Sequence, residues 1–170
     1  MSDNYENREI RFINANYEDL FKIPNGGYIT ITLNNGEQLI RQCRFHGECH
    51  VEVGNNLYHI CEFAEKMERA GNTYEPCSEP QKVAGYVITD RMPAREKVFV
   101  MGHNPNAVQP WVTWQSYPDN PSNFDWGHYW NNRSDAWGDL FRRADAERTG
   151  KVYDHTKFIK QKQNRDNGER

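Results

Sequence analysis

Long hydrophobic runs are missing from this chain. None approaches the roughly 18 apolar residues that a membrane-spanning helix needs, so no segment is expected to cross a bilayer. The first dozen residues, MSDNYENREIRF, lack the apolar stretch of a secretory signal, and the expectation is a cytoplasmic chain. A basic excess is also missing. Net charge is −3 with both signs interspersed, which argues against a general nucleic-acid binder without excluding a local basic patch. Nor is there a Gly-x-Ser-x-Gly elbow, a His-Glu-x-x-His pair, a phosphate-cradling glycine loop or a Cys-x-x-Cys pair. These absences remove the common hydrolase, zinc-protease, P-loop and zinc-ribbon signatures.

Aliphatic residues are scarce too, with only 36% of the chain hydrophobic, but 13% is aromatic. A disordered chain would lack those rings, and each ring buries a large area, so a folded core with polar ends is expected. All five tryptophans lie between Trp111 and Trp137, joined by Tyr117, Phe124, Tyr129 and Phe141. Rings at this density fill a core or anchor a binding surface.

The pattern predicts strands over 10–13, 28–33, 37–45 and 49–53, with hairpin turns at Asn34-Asn35-Gly36 and around His46-Gly47. Residues 16–21 read as a turn or a single helical turn. Ile60, Phe63, Ala64 and Met67 form one apolar stripe of a helix over 59–70, and Gly71 stops it. Residues 72–84, with Pro76 and Pro80, read as a linker. Strands follow over 85–90, 97–101 and 111–117, with Met92-Pro93-Ala94 as an interruption and 118–132 as a long loop. A final helix starts near Ser134, buries Trp137, Leu140, Phe141 and Ala144, and stops at Gly150. The expected fold class is α+β with antiparallel sheets. Gly27-Tyr28-Ile29-Thr30 echoes Gly85-Tyr86-Val87-Ile88-Thr89, and Glu68-Arg69-Ala70-Gly71 echoes Glu147-Arg148-Thr149-Gly150. These echoes suggest two similar β-β-β-α units, 10–75 and 83–155, packed as one body, followed by a polar tail over 157–170.

Four chemistries compete for the polar residues. Cys43, His46 and Cys49 have ligand-like spacing, with His50, His59 and Cys61 nearby. Strand parity instead places Cys43 and Cys49 on the apolar face as small core residues, so no metal or other cofactor is expected. His103, Asp125 and His128 could serve acid–base work, yet polar loop residues more often form turns, and no nucleophile accompanies them. Arg142, Arg143 and Arg148 on the last helix, with Lys157 and Lys160 in the tail, could bind nucleic acid beside exposed rings. The bland alternative is that basic residues suit a helix C-terminus. Finally, Phe124, Trp126, Tyr129 and Trp130, with Asp119 and Asp125, have the composition of a protein-binding surface. The competing use of those rings is to fold back and cap the sheet.

The strings HNPNAVQPWVTWQ (103–115), NFDWGHYW (123–130) and RSDAWGDLFRRADAERTGKVYDHT (133–156) resemble small accessory proteins carried by conjugative and phage-like mobile elements of gut Firmicutes. The resemblance implies a context rather than residue roles. Such proteins often counter host defence, as anti-restriction or anti-CRISPR factors. It therefore implies a non-enzymatic inhibitor whose partner is a CRISPR effector or restriction nuclease. The aromatic stretch would anchor it, with Asp119 and Asp125 facing a basic nucleic-acid channel. A nucleic-acid-binding module is the alternative.

Overall fold

The computed structural model describes residues 5–151. Its strands are β1 (Glu9–Ile13), β2 (Asp19–Pro24), β3 (Tyr28–Thr32), β4 (Gln38–Phe45), β5 (His50–Val53), β6 (Asn56–His59), β7 (Thr73–Cys77), β8 (Lys82–Val83), β9 (Tyr86–Ala94), β10 (Lys97–His103), β11 (Trp111–Tyr117) and β12 (Asn120–Trp130). Helix α1 (Ile60–Arg69) lies between β6 and β7, and α2 (Arg133–Thr149) follows β12. The class is α+β, and every strand pair is antiparallel.

The main sheet runs β12-β11-β10-β9-β4-β3-β7, with β5 and β6 continuing from β4 and β8 flanking β9. The strands are far more numerous than two β-β-β-α units require, so the echo between Tyr28 and Tyr86 does not extend to a repeated architecture. In the first half, β1 and β2 form their own hairpin, and Ile10, Phe12, Ile29, Ile31, Val51 and Phe63 meet in one core. The expected stripe of α1 is buried as read, and the His59 side chain caps the helix by accepting from the Cys61 amide. The second half is a four-strand meander with a core on each face. Met92, Phe99, Met101 and Trp130 pack under α2, while Ile88, Val100, Val112 and Trp114 pack on the other side.

Four local expectations are corrected. Residues 19–24 form a strand, paired with β1 around the Asn14 turn. The segment read as a linker holds β7, an edge strand on β3, and the short β8. Pro93 sits inside β9, beyond the short ladder to β4, where the strand's outer side has no ladder hydrogen bond to lose. The long loop over 118–132 is mostly β12, and its bulges against β11 erase the alternation that marks a strand.

The stripe of α2 is also rotated from its expected position. Asn132 caps the helix, its Oδ1 accepting from the Asp135 amide at 2.9 Å, and Gly150 closes it in the left-handed conformation. The buried face is Ala136, Asp139, Leu140, Arg143 and Ala144, so Trp137 and Phe141 stack on each other at its margin. Small alanines let the helix lie close on the sheet, which two large rings would prevent.

The halves meet at a narrow seam. Only Gln38↔Arg91 and Leu39↔Asp90 pair β4 with β9. Beside this ladder Glu37 and Asp90 are both buried and hydrogen-bonded to each other. Trp137 Nε1 donates to both Glu37 oxygens, at 3.1 and 3.2 Å. Arg133 Nη2 donates to Asp90 Oδ2 at 3.2 Å, and Arg41 lies 3.8 Å from Asp90 Oδ1. Burial, then the hydrogen bond to Asp90, pushes the Glu37 carboxyl from 4.5 up to about 7, against the lowering effect of Trp137 and Arg133. The folded chain thus holds a proton that the unfolded chain releases above about pH 4.5. Its stabilising effect is complete below that pH and is lost as pH rises through about 7.

Two outcomes are expected in urea denaturation. Leu140→Ala should cost about 2–5 kcal/mol, whereas Phe141→Ala should cost under about 1.5, because only the former leaves a core cavity. Between pH 5 and pH 8 the wild-type chain should lose stability relative to Glu37→Gln, which keeps a neutral donor at the seam. Equal pH profiles for the two chains would rule out the shared proton.

Candidate functional site

Among the described residues β12 is the terminal strand of the sheet, and its register against β11 slips between Thr113 and Gln115. Thr113 faces His128 and Gln115 faces Asp125, so β12 carries one extra residue there. Trp126 sits in this bulge at φ +54, a left-handed conformation that a bulky side chain seldom adopts. Gly127 next to it is required by close approach, since a Cβ would lie 2.8 Å from Trp114 Nε1. The bulge also reverses which face each ring takes. Phe124 packs on Trp114 on the face away from α2, whereas Trp126 lines a groove with the residues of α2.

That groove measures about 430 Å³. The sheet supplies Lys97, Phe99, Gln115, Trp126 and His128, and the helix end supplies Arg143, Ala146, Glu147 and Lys151. A buried polar network forms one wall. Asp139, fully buried on α2, accepts from His128 Nδ1 at 2.9 Å and from the Thr113 hydroxyl. A carboxylate accepting from both places the imidazole proton on Nδ1. Arg143 Nη1 lies 3.9 Å from Asp139 and donates to the Thr113 carbonyl at 3.3 Å, while its guanidinium covers the Phe99 ring. Across the groove Lys97 pairs with Glu147 at 3.0 Å. The groove brings together a largely buried imidazole, two lysines, an amide and one open indole. It suits recognition of a planar, anionic group.

The residues singled out in the sequence are distributed unevenly. Trp126 is 74% exposed and Tyr129 is 46% exposed, so both present rings outward. They do so on opposite faces of β12, since Tyr129 leans on Tyr86. Trp130 is corrected: it belongs to the core under α2 and offers no surface. Phe124 is half-buried, Asp119 is exposed in the β11–β12 turn, and Asp125 accepts from the Asn123 amide at 3.1 Å.

The three basic helix residues do not form one outward face. Arg142 is exposed, Arg143 is buried at the groove wall, and Arg148 donates to the Pro93 carbonyl at 2.9 Å. Lys157 and Lys160 lie outside the described residues. The acid–base trio is also dispersed. His103 stacks on Trp111 at 4.0 Å, and burial lowers its pKa, whereas His128 joins Asp139. Among the described residues no group of three His, Cys, Asp or Glu side chains is placed to hold a metal ion. Cys43 is a core residue, and burial pushes its thiol up to about 12.

Asp139, Thr113 and Lys97 were not anticipated as site residues. The spacing of Asp139 and Arg143 was readable as an i, i+4 pair, but nothing in it indicates burial. Among the described residues no helix is long and apolar enough to cross a membrane. The chain matches no family model, no curated protein and no solved structure.

Replacing Trp126 by Asn, which tolerates a left-handed backbone, should leave the melting temperature unchanged or raise it, because strain of about 1 kcal/mol is relieved. A loss of about 3–5 kcal/mol, the cost of removing a core aromatic, would instead show that Trp126 packs the fold.

Proposed function

We propose that the chain is a non-enzymatic binding protein that occupies a protein partner along the open edge of β12. The observation that carries this reading is Trp126, a large ring held exposed on a strained bulge of an edge strand. Strain of this kind persists where the surrounding structure enforces it, and it clusters at functional sites. Tyr129 flanks the same edge from the other face. A segment laid along β12 would be gripped by both rings, with main-chain pairing adding affinity. The bulge and Pro121 keep this edge from pairing indiscriminately.

The resemblance to accessory proteins of mobile elements supplies the partner class: a cytoplasmic host defence nuclease, such as a CRISPR effector or a restriction enzyme. Exposed Asp119, at the tip of the β11–β12 turn, is suited to meet a basic nucleic-acid channel. Neither a metal nor a cofactor is needed for such steric occupation.

The test is capture from lysate of a host that carries the defence system, with bound proteins identified by mass spectrometry. Wild-type chain should retain the nuclease. The double variant Trp126→Ala/Tyr129→Ala should keep its near-ultraviolet dichroism outside the lost rings and reduce capture at least tenfold, since interface anchors are worth about 2 kcal/mol or more each. Undiminished capture by the double variant would sink the assignment.

A further inference from the structure

The groove beneath Trp126 has a composition that steric occupation by a protein does not call for. Its wall is a network of buried polar groups, Asp139, Thr113 and Arg143, that holds His128 in one orientation. Its rim carries cations from two elements, Lys97 from β10 and Lys151 beyond the end of α2. Gln115, half-buried on β11, brings an amide that both donates and accepts, and its Nε2 already bonds the Tyr117 hydroxyl at 2.9 Å. The exposed indole of Trp126 lines the same groove. We propose that this groove binds a nucleotide unit, with the base stacked on Trp126, its polar edge met by Gln115 and His128, and its phosphate held by Lys97 and Lys151.

Each part of the ligand answers a feature of the groove. An open indole is a stacking platform for any base, because every base has a π-face. An acidic peptide would satisfy the lysines but leave the indole without a planar partner. A purely aromatic ligand would leave the lysines unused. The volume of about 430 Å³ lies within the roughly 300–1,000 Å³ range of small-ligand sites. It accommodates one nucleotide rather than a tract. The chain's net charge of −3 gives no long-range attraction to a polyanion, so recognition is local. One phosphate, or two, would be contacted. The nucleotide can come free or as one residue of a single strand, and both sources present the same base and phosphate.

The test uses the purified full chain without any partner protein, so its failure would leave the protein-binding reading of β12 standing, and failure of capture would leave this inference standing. Adenosine and uridine monophosphate are titrated by calorimetry, and fluorescently labelled oligo-dT and oligo-U by anisotropy. Saturable binding is expected in at least one arm. Comparable affinity for monophosphate and oligomer identifies a free nucleotide as the ligand, and binding confined to oligomers identifies a single strand. Trp126→Ala should weaken binding roughly 5- to 150-fold, the range of one lost base stack, while Trp126→Phe keeps most of it. Lys151→Ala should weaken oligomer binding and lower its salt slope by about 0.7, the value for one single-strand phosphate. Absence of binding in both arms at millimolar ligand overturns the inference, as does binding that Trp126→Ala leaves unchanged.

Discussion

Two buried carboxylates, Glu37 and Asp90, sit at the junction on which the relation of the two halves depends. They come from opposite halves, just before β4 and the middle of β9, and they meet where only two residue pairs form the ladder between β4 and β9. Two like charges cannot both stay ionised there without help, so a proton is shared and arginines arrive from both sides, Arg41 and Arg133. A buried cluster of this type contributes little net stability. It penalises every arrangement that leaves a member unpaired, and so it specifies register. Arg133 and Trp137 extend the cluster into α2, so the rotation of that helix about its axis is set near its start. Everything farther along α2 inherits that rotation.

What it inherits is the groove. With Trp137 turned towards Glu37, Ala136, Leu140 and Ala144 lie on the sheet, and Asp139 with Arg143 falls against β11 and β12. A rotation of one residue would bury Trp137 and Phe141 and would carry Asp139 away from His128. The seam and the groove are therefore linked through a single rigid helix. Both are also places where the protein departs from what packing alone favours: buried charge at each, and at the groove a tryptophan held at positive φ.

The elements legible in the sequence were those with uninterrupted period. The stripe of α1, the 28–45 hairpin with its Asn-Asn-Gly turn, and the strand over 111–117 all stand where the spacing placed them. The failures share a physical cause, since each lay where long-range pairing overrode local signals. Pro76 and Pro93 read as breakers, yet both fit strands at positions where no ladder hydrogen bond depends on them. β12 has polar residues, Pro121 and a bulge, and only its partner β11 makes it a strand. In α2 the large rings dominated the sequence stripe, while the structure buries Asp139 and Arg143 because Thr113 and His128 satisfy them. Trp126 was singled out as a surface ring from composition alone, but its groove could not be read, because its lining comes from four separate elements.

The electrostatics of the groove follow from the same construction. Lys97 is answered by Glu147 and Arg143 by Asp139, so two of the groove's cations have a carboxylate close behind them. The field of such pairs fades within a few ångströms of the surface, faster than that of isolated cations. A ligand therefore gains from them only at contact distance, once its planar group is seated on the indole. With a net charge of −3, the chain offers such a group no long-range steering, so recognition at this groove would rest on fit. A groove of isolated lysines would attract any polyanion; one in which Lys97 is already paired with Glu147 beside an exposed indole favours a group that matches both.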